Sequence, residues 1–184
     1  MQKKAPITPR RAVVRLCYLA LLCAMSVTLG YVAKMIFGTS PLRVTFENLP
    51  IVFAGIVFGP LYGGAVGAVA DLVNCLFAGQ APILLITVGA ALVGVLSGLL
   101  SHTLLRKPTF TNLLTVELIT QSIASVIVKS MALHIYFTYS YLLLLPRLPI
   151  YIGIAIAESY CLYILLNHPA VKKHLPAREG ETHT

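Results

Sequence analysis

The sequence predicts an all-α integral membrane protein: a compact bundle of six transmembrane helices with both termini in the cytoplasm. Hydrophobic residues make up 58% of the 184 residues and charged residues only 11%, whereas soluble domains carry roughly 25% charged residues. The mean hydropathy is +0.85, and this composition excludes a disordered, collagen-like or disulfide-rich chain. Most basic residues flank apolar stretches, as they do at the cytoplasmic ends of membrane spans.

Apolar stretches separated by glycine, proline and charge define the six spans. In chain order they cover residues 12–37, 46–58, 61–78, 83–105, 113–137 and 146–166. The first follows a basic head and is long enough to span. Since it lacks an A-x-A-type cleavage site, we expect a retained helix and not a signal peptide. The second is short for a hydrocarbon core of ~30 Å and ends at the Gly59-Pro60 break.

Turns and connectors delimit the remaining spans. The third span ends at the turn Gly79-Gln-Ala-Pro82, and the fourth ends before Arg106-Lys107-Pro108. A polar connector, residues 38–45, precedes the second span, and a tyrosine-rich connector, 139–145, precedes the sixth. Proline and glycine in these positions interrupt helices, which is why the apolar stretches are read as separate elements.

The distribution of basic residues favours six spans over five. With six spans, both termini and the loop between spans four and five lie on one side, which then holds ten of the fourteen cations: Lys3, Lys4, Arg10, Arg11, Arg15, Arg106, Lys107, Lys172, Lys173 and Arg178. By the positive-inside rule this side is the cytoplasm. The chain therefore divides into a basic segment (1–11), a six-helix domain (12–167) and a polar basic tail (168–184).

Four further cations and four anions fall within the spans or at their outer edge. They are Lys34, Arg43, Lys129, Arg147, Glu47, Asp71, Glu117 and Glu158. Each costs at least ~2.5–3.5 kcal/mol at membrane depth, so such groups usually face a partner or a cavity. At 1.5 Å per residue, Asp71 lies about 15 Å above the inner face and Lys129 about 24 Å, while Glu117 falls in the inner third. The outer half is therefore expected to hold a pocket for a polar, aromatic ligand.

Helical phase groups several of these side chains. Asp71 and Asn74 share a face of the third span, and Lys129 and Tyr136 share a face of the fifth. Arg147, Tyr151 and Glu158 share a face of the sixth span. We expect Glu158 to pair internally within the bundle. For Arg43 and Arg147, at the outer rim, a role in ligand binding is favoured over that of a solvated loop cation.

Small residues recur at every fourth position in three spans, a spacing that lets helices approach closely in lipid. The pairs and triplet are Ala20/Ala24, Gly63/Gly67 and Ala90/Gly94/Gly98. The glycines are expected to pack helices within the bundle. The Ala20/Ala24 stripe lies on a helix that a compact bundle leaves partly exposed, so it suits docking of a second membrane protein.

Several motifs of catalysis and metal binding are missing from the sequence. It contains neither a P-loop G-x-x-x-x-G-K-[ST] nor an H-E-x-x-H motif. Because the P-loop is missing, the chain is not expected to hydrolyse ATP. Its four cysteines lie in apolar runs without metal-ligand spacing and are expected to be structural. We therefore predict neither an enzyme nor a metal site.

Several segments carry a resemblance to a known family. Leu42-Arg-Val-Thr-Phe46, Leu49-Pro-Ile51, Ala54-Gly-Ile-Val-Phe-Gly-Pro60 and Gly67-Ala-Val-Ala-Asp71 resemble an S component of an energy-coupling-factor (ECF) vitamin transporter, most closely the folate-type branch. Further similarity is found in Ala20-Leu-Leu-Cys-Ala24 and Ile86-Thr-Val-Gly-Ala-Ala-Leu92. The resemblance covers nearly the whole chain.

This resemblance implies a subunit of the bacterial plasma membrane that binds a vitamin at its outer face. Such a subunit associates with a transmembrane coupling subunit and two cytoplasmic ATPase subunits, which use the ATP, and it carries its ligand inward by toppling in the membrane. This chain itself would hold no cofactor. Ala20 and Ala24 would form the docking surface, and the connector with Arg43 would be a lid.

For folate, the resemblance and the charges suggest three groups of ligand contacts. Cationic side chains would pair with the glutamate carboxylates, polar ones would bond the pterin's amino and ring N–H groups, and tyrosines would flank the ring. The predicted site residues are Arg43, Asp71, Asn74, Lys129, Tyr136, Tyr139, Arg147 and Tyr151.

Three alternatives to a folate-binding subunit stay open from the sequence. The first is the same family with another cargo, such as pantothenate or a queuosine precursor. The others are an independent channel or proton-coupled carrier, and a membrane scaffold without a ligand.

Overall fold

A computed structural model of the chain describes residues 9–37, 45–79, 81–104, 109–128, 131, 134–136 and 147–168. Within these ranges the regular structure is entirely helical, which confirms the predicted all-α fold class. The helices are α1 (Pro9–Phe37), α2 (Asn48–Phe58), α3 (Pro60–Phe77), α4 (Leu84–Leu104), α5 (Phe110–Thr120) and α6 (Arg147–Asn167). Helix α5 continues directly into a π-helical segment, Gln121–Val128.

Four of the described helices are long and apolar enough to cross a membrane. Their spanning parts are Ala12–Ile36, Pro60–Phe77, Leu84–Ser101 and Pro149–Asn167, which match the predicted first, third, fourth and sixth spans. Helix α2 is apolar but has 11 residues, a length of about 16 Å at 1.5 Å per residue. The predicted fifth span, 113–137, is represented by α5 from Leu113 onward, the π-helical segment and a few residues beyond it.

The predicted break between α2 and α3 is present and has a local cause. Gly59 has φ 102°, in the left-handed region that favours glycine, and Pro60 begins α3, where its missing N–H costs nothing. The Gly59 N–H donates to the Gly55 carbonyl at 3.0 Å, which closes α2. The chain therefore reverses without a connecting loop, and α2 and α3 pack against one another.

Glycines allow α2, α3 and α4 to touch backbone to backbone. A Cβ atom placed on Gly63 would lie 2.5 Å from the Gly55 Cα and 2.7 Å from the Gly94 carbonyl oxygen. A Cβ on Gly98 would lie 2.6 Å from the Pro60 Cα. Real Cβ atoms do not approach so closely, so these positions admit only glycine without movement of the backbone. The expected intramolecular role of the glycine ladders is confirmed.

Helix α1 contacts α2 and α3 along one face and exposes the other. Leu19, Val27 and Ala33 are buried on the inner face. Ala20 and Ala24 are both exposed, so the predicted docking stripe lies on the uncovered side of the helix. All four cysteines of the chain are free thiols, and no group of three or more potential metal ligands occurs among the described residues.

Helix α5 begins three residues earlier than predicted and changes the position of Glu117. Thr109 has an extended backbone, and its carbonyl accepts the Leu113 N–H at 3.1 Å, so that the helix begins at Phe110. Glu117 is thus about 5 Å further along the helix than a start at residue 113 implied. It is fully buried and neighbours the carboxyl group of Glu158. The sequence did not predict this contact between the carboxyl groups of Glu117 and Glu158, and the predicted depth of Glu117 in the inner third stays a prediction.

Candidate functional site

A small polar cavity lies where α1, α2, α3 and α4 meet. Its volume is about 20 Å³, room for about one water molecule. Ten residues line it: Ser26, Lys34, Glu47, Asn48, Ile51, Gly67, Ala70, Asp71, Asn74 and Ala90. Six of these are polar or charged, an unusual concentration in a bundle whose composition is so apolar.

Helix α3 brings Asp71 and Asn74 to this cavity, and both were predicted as site residues. Their spacing of three residues places them on one helix face. The Thr87 hydroxyl of α4 donates to Asp71 Oδ2 at 2.7 Å. Asn74 is buried, and its side-chain oxygen has no partner among the described residues. The structure therefore places both side chains in one polar site, while their contact with a ligand stays a prediction.

Helix α1 adds Lys34 and a close approach at Gly30. Lys34 Nζ donates to the backbone carbonyl of Asn74 at 3.1 Å, near the C-terminal end of α3, where the helix dipole favours a cation. A Cβ on Gly30 would lie 2.6 Å from Asn74 Nδ2 and 2.8 Å from Glu47 Oε2. Glycine at this position therefore lets an amide and a carboxylate lie directly against the backbone of α1.

The start of α2 supplies Glu47 and Asn48, which the sequence did not assign to the site. The Ser26 hydroxyl of α1 donates to the Glu47 carbonyl at 2.7 Å, and the Glu47 N–H donates to Thr45 Oγ1 at 3.2 Å. Asn48 is almost fully buried, and its Nδ2 donates to Gln121 Oε1 at 3.1 Å. These contacts hold the N-terminal turn of α2 against the cavity.

The buried side chain of Gln121 connects Asn48 at the cavity to Glu158 of α6. Gln121 is the first residue of the π-helical segment, and its Nε2 donates to Glu158 Oε2 at 2.8 Å. The π-helix widens the turn, and such segments occur often at functional sites. Glu158 therefore has internal partners, as expected, and these are an amide and a neighbouring carboxyl group.

The other predicted site residues are not gathered at the cavity. Tyr151 is buried on α6, two turns before Glu158 on the same helix face. Tyr136 is 57% exposed and does not line the cavity. Arg147 is the first residue of α6, but its side chain lies outside the described part of the structure. Arg43, Lys129 and Tyr139 lie outside the described residues altogether.

The balance of cations and anions in the cavity lining differs from the balance in the whole outer region. Among the described lining residues there are one cation, Lys34, and two carboxylates, Glu47 and Asp71. If Glu117 is left out, the ionisable groups that the sequence predicts for the outer region are four cations and three anions, a balance that weakly favours an anionic ligand. This part of the site instead favours hydrogen-bond donors, because carboxylates and amide oxygens accept.

Comparisons with known proteins identify the fold and its family relations. The model of the family "ECF transporter, substrate-specific component" matches residues 14–169. Among solved structures, the crystal structure of FolT bound with folic acid is similar, with a TM-score of 0.68 and 22% sequence identity. The similarity covers 84% of this chain and 93% of that one, and at this identity it establishes a shared fold. No curated protein matches the sequence.

Proposed function

Because this chain belongs to the family of ECF transporter substrate-specific components, we propose that it binds the vitamin folate at the outer face of the membrane. The family makes the chain a multi-pass membrane transport subunit and not an enzyme, which confirms both predictions. The similar structure, FolT, holds folic acid, and its fold is shared here. The observation that carries the proposal is the polar cavity, since it offers unpaired buried acceptors inside an apolar bundle.

The proposed topology has six membrane-spanning elements with both termini in the cytoplasm. Four spans are supported by the described helices. The short helix α2 and the stretch from α5 onward complete the six. The basic residues at both ends and between spans four and five support this orientation. In it, the C-terminal end of α3, with Asp71 and Asn74, faces the outer half of the membrane.

The cavity is proposed to be the floor of a larger site. A drug-sized ligand occupies roughly 300–1,000 Å³, so a space of about 20 Å³ accepts only one edge of it. Asp71 and Asn74 would meet the pterin's N–H groups on this floor. Arg43, Lys129 and Arg147 would pair with the glutamate carboxylates, and Tyr136, Tyr139 and Tyr151 would flank the rings.

The proposed partners are a transmembrane coupling subunit and two cytoplasmic ATPase subunits, which use the ATP. The exposed alanines of α1, Ala20 and Ala24, support a docking surface there, because small residues let another helix approach closely in lipid. The ligand would be delivered inward only when the subunit is docked.

The proposal is tested by titration calorimetry of the purified full chain in nanodiscs against folate, pantothenate and a queuosine precursor. We expect tight binding of folate. Calorimetry is suitable because the chain contains no tryptophan to quench. Uptake is then measured in cells with and without a co-expressed ATPase module. Uptake that persists without the module and after ATP depletion would show an independent carrier and overturn the proposal.

Replacing Thr87 by valine is expected to weaken folate binding by about tenfold, the loss of one hydrogen bond to a charged group. Thr87 donates to Asp71 Oδ2 at 2.7 Å, so its loss frees a carboxylate that this hydroxyl holds in the cavity. Thr115→Val is the matched control, because Thr115 is exposed and its hydroxyl donates to the Thr111 carbonyl of its own helix. Equal affinities for the two variants would contradict a role of the Thr87–Asp71 pair in binding.

Arg147→Ala is expected to weaken binding of folate by about tenfold or more, because a charge-assisted pair with a carboxylate is lost. Pterin has no carboxylate, so its affinity should not change. Arg106→Ala, on the opposite side of the membrane in the proposed topology, is the control. The role of Arg147 is refuted if calorimetry gives the same folate affinity for the variant and the natural protein.

A further inference from the structure

Two residues that line the cavity carry a buried side-chain oxygen without a hydrogen-bond partner among the described residues. They are Asn48 Oδ1 and Asn74 Oδ1. Both residues line the cavity, and their exposed fractions are 1% and 5%. Buried amide oxygens are nearly always paired with protein, water or ligand. Two such oxygens at one small cavity therefore mark a place that a hydrogen-bond donor occupies.

Three side chains of the same lining use a donor within the protein. Ser26 Oγ donates to the Glu47 carbonyl, Lys34 Nζ donates to the Asn74 carbonyl, and Asn48 Nδ2 donates to Gln121. The carboxylate of Asp71, which already accepts from the Thr87 hydroxyl at Oδ2, adds acceptor capacity to the lining. The cavity consequently presents mainly acceptors to whatever enters it.

A relay of three hydrogen-bonded side chains, Asn48, Gln121 and Glu158, determines which end of the Asn48 amide has no partner within the relay. A carboxyl oxygen of Glu158 accepts from Gln121 Nε2 at 2.8 Å, so the other end of that amide, Oε1, points away from Glu158. Gln121 Oε1 in turn accepts from Asn48 Nδ2 at 3.1 Å. Since an amide has one donor end and one acceptor end, Asn48 retains its oxygen for the cavity.

We infer that Gln121 and Glu158 are positioning residues that act through Asn48, so that the cavity selects the donor-rich edge of an aminopyrimidinone ring. The inference rests on the proposed function, since it concerns how the same site reads its ligand. A pterin presents an amino group and a ring N–H side by side on one edge. Acceptors on α2 and α3 match these donors, whereas an edge with carbonyl oxygens would face acceptors across the cavity.

The ligand pair that tests this inference is pterin and lumazine, which carries a carbonyl oxygen where pterin has its amino group. The two have nearly the same shape, so packing contributes equally to both. A site built to accept hydrogen bonds rejects an analogue without the donor, because its buried acceptors are then left unpaired. We expect the natural protein to prefer pterin over lumazine by about tenfold or more.

Competition of each compound against radiolabelled folate is measured with the full chain in nanodiscs, for the natural protein and three variants. Gln121→Leu removes the relay, and Glu158→Gln replaces a carboxyl group by an amide that can donate as well as accept. Both should lower the preference for pterin toward one, because the Asn48 amide is then free to turn. Thr120→Val is the control: Thr120 is equally buried, adjacent to Gln121 and outside the relay, so this variant should keep the preference.

Each outcome decides a separate point. If the folded natural protein binds neither folate nor pterin, the proposed function fails. If it binds folate but accepts pterin and lumazine equally, the proposed function stands and this inference is overturned. If both relay variants bind with an undiminished preference, the positioning role is refuted. Glu158→Gln changes one atom and decides the matter alone should Gln121→Leu fail to fold.

Discussion

Replacing Gly94 by alanine is expected to destabilise the protein by roughly 1–3 kcal/mol, the usual cost of forcing an extra methyl group into a packed interior. A Cβ atom at this position would collide with the backbone carbonyl of Gly63 and lie 2.7 Å from the Gly64 nitrogen. Because these atoms belong to the backbone of α3, relief requires the whole helix to move. The loss of stability from this collision is expected even though helix propensity alone would favour the variant, since alanine favours a helix over glycine by about 1 kcal/mol.

Gly153→Ala is the matched control for this prediction. Gly153 also lies within a helix, α6, but a Cβ there would meet nothing within 4 Å. Only helix propensity remains at this position, so the control should be as stable as the natural protein or slightly more so. Stability is read from the fraction of monodisperse protein that survives heating, measured by size-exclusion chromatography in detergent. If both variants behave alike, the backbone contact between α3 and α4 does not limit stability.

Ala20→Trp is expected to abolish uptake while leaving ligand binding intact. The alanine stripe of α1 is exposed and outside the polar cavity, so a bulky side chain there should not disturb the site. It would instead keep a partner helix from the close approach that small residues permit. Uptake with the co-expressed ATPase module and calorimetry of the purified variant provide the two measurements.

Ala65→Trp is the control for docking, because Ala65 is an exposed alanine on another helix, α3. It should leave both uptake and binding unchanged. Normal uptake by Ala20→Trp would refute the docking role of the stripe. Unchanged uptake in the control, together with intact ligand binding by Ala20→Trp, would exclude a general effect of an added tryptophan on folding or insertion.

Local patterns in the sequence were sufficient for much of the fold. Long apolar stretches predicted the helices, because a membrane span must satisfy its own backbone hydrogen bonds. Gly59-Pro60 predicted the break between α2 and α3, since these two residues act on the backbone where they stand. Glycine spacing predicted close packing, and helical phase placed Asp71 and Asn74 on one face.

The remaining parts of the site depend on contacts that are distant in sequence. Asn48 meets Gln121 across 73 positions, and Gln121 meets Glu158 across 37. An asparagine at the start of an apolar helix and a glutamine inside another carry no periodic signal that would connect them. Glu47 and Lys34 did carry a signal, as charges at membrane depth, but their charge alone did not indicate which helices would bring them together.

The sequence by itself determined the class of the protein, its helical character and its family, because composition, apolar length and short motifs are properties of neighbouring residues. Only the tertiary structure decided which polar groups share a cavity and which way their amides face. Glu117 illustrates the difference: its depth estimated along one helix separated it from Glu158, yet packing of α5 against α6 brought the two carboxyl groups together. Depth along a helix follows from counting residues, whereas side-chain contacts follow from how helices rotate and pack against one another.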